Sequence, residues 1–413
     1  MGSDEPTIDL ASPVSFDGGQ PHEQFRWLRE HDPVHWHEEP GGAGFWAVTR
    51  YHDVKEVGRD PETYSSYAGG IMLPDADEEA LAAPRQMMLY MDPPEHTRYR
   101  KLVSSAFTPR NVARWTQRID ALATDIVDQV CEQGHCDLAT DLAGEMPSAL
   151  IAELMGIPRD DGRQLYVLTE RIHAAPEALE EGARIEAAAE MLTYAADVAA
   201  AKRRSPTDDL ASLLAGARVD GEGLTDEEFC WFFLLLINAG GDTTRNLLGG
   251  GAQVLFDHPQ QRAWLQADLD GRVDTAVEEL LRVVSPVVHM RRTATRDTVL
   301  GERSIHAGDK VVMFYGSANR DESVFDDPDR VDLGRDPNPH VAFGGGGPHY
   351  CLGAHFARVE TRAMLVEVLS RLPDLEPDGA PQWLASNFIC GPTHLPVRFT
   401  PTSRSGEQSA VGA

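Results

Sequence analysis

Phe343-Gly344-Gly345-Gly346-Gly347-Pro348-His349-Tyr350-Cys351-Leu352-Gly353 leads into a stretch of strong helical pattern, Ala354 to Leu372. Four glycines and a proline cannot continue a helix or a strand, so the backbone is expected to fold tightly here. Cys351 then stands just before a helix N-terminus. The helix dipole and the free backbone N–H groups at such a place stabilise a thiolate.

A thiolate held by amide donors is what a haem iron needs for O–O cleavage, because it donates electron density to the metal. Three other chemistries use related loops. A phosphate cradle would be followed by Gly-Lys-Ser/Thr, or show dinucleotide-binding spacing, and neither is present. His349, Cys351 and His355 could be zinc ligands, but a fourth ligand at metal spacing is missing. A nucleophilic cysteine would need an orienting histidine and acid. The separate cluster Cys131-Glu132-Gln133-Gly134-His135-Cys136 reads as a loop rather than a metal site.

Working outward, the clearest helix start is Thr225-Asp226-Glu227-Glu228, where Thr225 can cap and Glu228 can close a capping box. The run Phe229 to Ile237 is apolar on every face, so this helix must lie in the centre of the molecule. At helical spacing it then carries Ala239-Gly240-Gly241-Asp242-Thr243-Thr244. A carboxylate and hydroxyls are costly to bury without partners. Paired glycines weaken a helix by about 1 kcal/mol each. Two readings fit: a ligand pressed against an opened turn, or helix packing through small residues.

The remainder is a mixture of helical patterns with a few short strands. Pro21 to Arg29 reads as a helix, and Val34 to Trp36 with Phe45 to Thr49 as a hairpin around Pro40-Gly41-Gly42. A helix follows Asp92-Pro93-Pro94 through Ala106, and another pattern runs from about Ile185 to Ala201. Lys202 to Asp209 reads as a solvated connector and residues 404–413 as a frayed tail.

The chain has 413 residues, 37 Lys plus Arg, 66 Asp plus Glu, and a formal net charge of −29. That argues against nucleic acid or an anionic membrane as partner. Five cysteines point to free thiols in a reducing compartment. The acidic N-terminus carries no secretory pattern. The apolar run Phe229 to Gly241 is shorter than the ~20 residues that span a bilayer. A cytoplasmic location is the expectation.

With these motifs in order, the chain resembles the cytochrome P-450 superfamily in its soluble bacterial form, from Trp46-Ala47-Val48-Thr49-Arg50 to Leu395-Pro396-Val397. The resemblance implies one haem domain over residues 1–413, mainly α with a small β-rich side and two lobes. A haem b would lie between the central helix and the helix after Cys351. It implies Cys351 as proximal iron ligand within the loop bounded by Phe343 and Gly353, and Asp242 and Thr243 as the acid–alcohol pair that relays protons. Glu279-Leu280-Leu281-Arg282 matches the Glu-x-x-Arg motif, and Pro328-Asp329-Arg330-Val331 the meander. Either Arg330 or Arg335 could complete the network, with Arg335 preferred. His96, Arg100, Arg292 and His349 match the propionate partners. Phe343 sits eight residues before Cys351, where seven is usual, so one residue is inserted among the glycines.

The activity implied is hydroxylation of an apolar small molecule with O₂ and two electrons. The chain is too short after Cys351 to hold a reductase, so a separate ferredoxin and ferredoxin reductase are expected, docking near Lys101 and Arg358. A peroxide-driven enzyme would leave the Asp242-Thr243 pair idle. A haem sensor or carrier would not need it. The lining implied by the family is Met72, Leu73, Met88, Leu89, Asn238, Ala239, Val287, Val288, Met290, Phe388 and Ile389, with His289 facing the pocket, a propionate or the core. The segments Ala239 to Asn246 and Ser386 to Gly391, with the longer glycine loop, are similar to actinobacterial hydroxylases of sterols, terpenoids and methyl-branched lipids. Thr393 and Asp242 depart from that subgroup, where lysine and glutamate are common. A steroid, terpenoid or branched lipid is expected before a linear fatty acid.

Overall fold

The computed structural model describes residues 6–173, 182–219 and 221–405. Its dominant element is a helix of 32 residues, Asp226–Asp257, about 48 Å long at 1.5 Å per residue. Thr225 and Glu228 begin it with a reciprocal capping box, in which the Glu228 N–H donates to Thr225 Oγ1 at 3.1 Å and the Thr225 N–H to Glu228 Oε2 at 2.8 Å. Phe229, Phe232 and Phe233 are almost wholly buried. Each contributes about 1.5–3 kcal/mol of burial energy.

Helices Glu145–Met155, Arg159–His173 and Ala183–Arg204 pack on one side of this central helix. Helices Leu269–Val284 and Ala354–Arg371 pack on another. The glycine pair is read directly from that packing. The central helix runs unbroken through Gly240-Gly241. A Cβ on Gly240 would meet Ile151, and one on Gly241 would meet Tyr166 at 3.4 Å. The pair therefore lets two neighbouring helices approach, and the opened turn allowed by the sequence is not formed.

A five-stranded sheet forms the β-rich side. Its order is Val34–His37, Phe45–Val48, Lys310–Phe314, His289–Ala294, Tyr64–Ser65. The expected hairpin is its first pair, with Val34 opposite Val48. Only the contact of Phe45–Val48 with Lys310–Phe314 is parallel. All five residues of Lys310–Phe314 are buried, as expected of a strand inside a sheet.

Two sequence expectations are corrected. The connector after Ala201 is not merely solvated: Lys202, largely buried, donates to the Gly156 carbonyl at 2.9 Å and pairs with Asp209 at 2.5 Å. Of the expected tail, residues 406–413 lie outside the described residues. Arg404 pairs with Glu132, and the Ser405 N–H donates to Asp128. Among the described residues, no helix is long and apolar enough to cross a membrane.

Candidate active site

The glycine loop closes where the Cys351 N–H donates to the Phe343 carbonyl at 3.0 Å. Gly344, Gly346 and Gly347 have φ of 101°, 97° and 77°, which only glycine adopts without cost. Gly345 and Gly347 also lie so close to helix Tyr51–Arg59 that a Cβ would strike the Val54 and Gly58 carbonyl oxygens.

Cys351 is exposed by surface area, yet its sulfur is strongly desolvated. The two observations agree if the sulfur faces an interior cleft rather than the outer surface. Burial pushes the thiol up, opposed by the Gly353 and Ala354 N–H groups and the Arg100 and Arg358 charges. The helix N-terminus thus moderates the thiol without making it a thiolate unaided. A bound iron would complete that ionisation.

Beside the loop, Arg100 on helix Glu95–Ser104 donates to the Tyr350 carbonyl at 2.6 Å. The His96 and His349 rings are 4.3 Å apart. Burial holds His96 down at about 4, helped by Arg100. His349 is held well below its usual value by burial, with Arg292 and the other cations adding to it. Both imidazoles are therefore neutral near pH 7. Arg292 is almost fully buried, donates to the Arg291 carbonyl at 2.7 Å, and has no carboxylate at ion-pair distance among the described residues. A buried guanidinium without an anion is costly, and this cluster is suited to receive one.

The central helix, which packs against the helix after the loop, bares Ala239 and half of Thr243 amid more buried neighbours. Four residues apart, they share one face. The Thr243 hydroxyl donates to the Ala239 carbonyl at 3.0 Å, leaving its oxygen free to accept. Asp242 is buried.

The brace behind the loop is built on Glu279 and Arg282, both wholly buried and paired at 2.8 Å through two contacts. Arg282 also donates to the Asn319, Pro328 and Arg330 carbonyls. Arg335 reaches Glu279 at 3.2 Å, whereas the Arg330 side chain points to Asp332 at 3.8 Å.

Residues 183–383 match the cytochrome P450 family. The steroid C26-monooxygenase of Mycolicibacterium smegmatis is 37% identical, with 95% of this chain and 93% of that protein covered. The chain belongs to the cytochrome P450 family. The methyl-branched lipid omega-hydroxylase of Mycobacterium tuberculosis is 41% identical over 91% of this chain and 90% of that protein. Among solved structures, the Mycobacterium marinum cytochrome P450 CYP268A2 in complex with pseudoionone has a TM-score of 0.89 and 42% identity. That match covers 96% of this chain and all of the other.

As a P450 monooxygenase, the protein uses a haem. Its residues fit one. A sulfur with amide donors faces the cleft, and the unpaired Arg292, Arg100 and two neutral imidazoles offer donors to a dianionic edge. His355, the third residue of the zinc alternative, is exposed while His349 is half-buried. Among the described residues, no group of His, Cys, Asp and Glu could hold a metal ion.

The expected pocket residues divide. Met72, Leu89 and Met290 are half-buried around Ile71, Leu81 and Tyr90. Val287 and Phe388 are half-buried, and Val287 bridges to the buried Ile389. Met88 is buried against the central-helix core. Two expectations are corrected: Leu73 and Val288 lie within the core of Phe25, Phe45 and Phe314, so they support the wall rather than form it. His289 is fully buried between Phe314 and Phe388. Asn238 is half-buried and accepts from Thr169 at 2.9 Å.

Other contacts had no separate sequence signal. Asn338 donates to Glu279 at 2.9 Å. Glu278 holds Arg358 at 2.5 Å and His340 at 3.0 Å. Burial pushes its pKa up, but the hydrogen bonds from Arg358 and His340 win and bring it down to about 2. Arg358 also lies over the Phe343 ring at 4.6 Å. It is a strut of the loop, not the free surface cation expected. Lys101, Arg110 and Arg114 are exposed and have no ion pair among the described residues.

Proposed function

We propose that the chain is a single haem domain that hydroxylates a rigid or branched lipophile, a steroid or terpenoid before a linear fatty acid. The observation that carries this reading is the pairing of two faces. Cys351, with its amide donors, stands at the start of helix Ala354–Arg371. Ala239 and Thr243 are bared on the central helix that packs against it, and Met72, Leu89, Val287, Met290 and Phe388 are half-buried. Relatives that act on steroids and methyl-branched lipids support it.

In this reading Cys351 Sγ binds the iron, and Arg100, Arg292, His96 and His349 hold the propionates. The haem supplies O₂ activation and C–H oxidation when bound. Apolar walls exclude water and orient the substrate. Thr243 Oγ1 accepts a hydrogen bond while its own proton rests on the Ala239 carbonyl. Turning that proton outward lets the hydroxyl donate instead. Asp242 then passes a proton inward from its carboxyl group. Electrons come from a separate ferredoxin and its reductase, and the exposed Lys101, Arg110 and Arg114 suit an acidic partner in a chain of charge −29.

The test is a titration of the ferric protein with steroids, terpenes, fatty acids and polar aromatic amines. A low-to-high-spin shift with steroids or terpenes is expected. A shift confined to polar aromatics overturns the substrate reading and leaves the haem assignment intact.

A further inference from the structure

On the side of the central helix that faces Arg159–His173, three side chains, Arg245, Glu170 and Tyr166, form a connected group beside the buried Asp242 and reach solvent at Glu170. Arg245 follows Asp242 by three residues, so the two share a face of the helix. Both are buried. Arg245 Nη1 pairs with Glu170 at 2.6 Å, and Glu170 is 41% exposed. Arg245 Nη2 donates to the Thr393 carbonyl at 3.1 Å, which fixes the guanidinium from the strand Pro392–His394. The Tyr166 ring packs on Gly241, and its hydroxyl donates to Glu170 at 3.3 Å. The Arg245 guanidinium lies 5.7 Å from the Tyr166 ring centre, and the Tyr166 hydroxyl feels the charges of both Asp242 and Glu170. Nothing in the haem-holding machinery needs this group. A buried guanidinium shared between a carbonyl, an aromatic face and a half-exposed acid is not the cheapest way to pack two helices.

We propose that Arg245, Glu170 and Tyr166 are positioning residues for Asp242, forming the seal through which its proton supply is connected to solvent. This rests on the reading of Asp242 as a proton relay. With Arg245 held outward by Glu170, the guanidinium and the Tyr166 ring cover Asp242 from bulk water. When the Arg245–Glu170 contact opens, one proton reaches an Asp242 carboxylate oxygen from solvent, and Asp242 returns to the carboxylate when it passes that proton inward. No electrons move in this step. The Glu170 end of this contact is half-exposed, so opening starts from the solvent side.

The experiment uses the haem-loaded enzyme with a surrogate ferredoxin, its reductase, and pseudoionone as the probe. NADPH-driven O₂ consumption, the fraction released as peroxide, and the solvent deuterium isotope effect are measured for Glu170→Gln, Glu170→Asp, Asp242→Asn and the double variant Asp242→Asn/Glu170→Gln. Glu170→Gln is expected to raise the peroxide fraction and shift the isotope effect, with the pseudoionone difference spectrum and first-electron reduction unchanged. Glu170→Asp should restore both quantities toward the parent. In the Asp242→Asn background, Glu170→Gln should have no further effect. Parent values in Glu170→Gln, or equal effects in both backgrounds, overturn this inference and leave the relay standing. If Asp242→Asn alone keeps parent values, the relay reading fails, and this inference fails with it.

Discussion

Glu279 and Arg282 stand one helical turn apart, and neither exposes any side-chain surface, yet both guanidinium–carboxylate contacts measure 2.8 Å. Such a pair is stable only because every remaining donor and acceptor is used: three carbonyls take Arg282, while Arg335, Asn338 and the Asp332 N–H reach Glu279.

Glu279→Gln should therefore cost about 3–5 kcal/mol, the usual penalty for leaving a buried partner charge uncompensated. Arg282→Lys should cost a similar amount, since a lysine cannot match both carboxylate oxygens and three carbonyls. Urea unfolding measures both. A loss under about 1 kcal/mol in Glu279→Gln would show that the pair is not the brace its geometry suggests.

Thr243→Ala removes one hydroxyl that, among the described residues, bonds only to the Ala239 carbonyl, so stability should change by no more than about 1 kcal/mol. Product formed per NADPH should fall steeply, and relay losses of roughly 10²–10⁴-fold are the general scale. Peroxide assayed alongside product distinguishes diverted electrons from slow turnover. Unchanged coupling rejects the role given to Thr243.

Two buried groups bound the pH range of stability from opposite sides. Burial raises Glu360 on the helix after Cys351 to about 8. A raised carboxyl favours folding below its unfolded value of 4.5, and that contribution is lost as pH rises through about 8. Burial lowers His289 to about 4. A lowered imidazole favours folding above 6.5, and that contribution is lost as pH falls through about 4. Glu360→Gln should raise the melting temperature at pH 8 and do little at pH 5. A melting temperature at pH 8 equal to the parent's would show that Glu360 is stabilised by other means.

Lys101 and Arg358 entered the sequence reading as equals, and the structure separates them. Lys101→Glu with Arg110→Glu should slow reduction by an acidic ferredoxin and flatten its salt dependence without loss of stability. Arg358→Gln should instead lower the melting temperature, because Glu278 loses its bidentate partner. Normal reduction rates in the double charge reversal would place the donor elsewhere.

These outcomes trace how far one dimension of information reaches. The loop around Cys351, the capping box at Thr225 and the pair Glu279–Arg282 are local in the chain, so residue type and spacing announce them. Helix phase did not separate Glu278 from Glu279, neighbours whose carboxylates serve different partners. Nor did it show that Glu360 turns inward while Lys101 turns out. Leu73 and Val288 read as pocket lining because apolar residues beside a cleft and apolar residues behind it have the same composition. Only packing against Phe25, Phe45 and Phe314 tells them apart. Arg245 was visible only as one letter of a motif, since its partners lie 75 and 148 positions away.

The glycine run that touches the Val54 and Gly58 carbonyls also sets a schedule for biosynthesis. The loop carrying the sulfur takes its shape against a helix made almost three hundred residues earlier. During translation that helix and its sheet neighbour Phe45–Val48 must wait for Lys310–Phe314 and then for the loop itself to leave the ribosome. Long-range closure of this kind is slow. The sulfur site is thus complete only once nearly the whole chain has been made, so a cofactor held there meets a chain already long enough to fold around it.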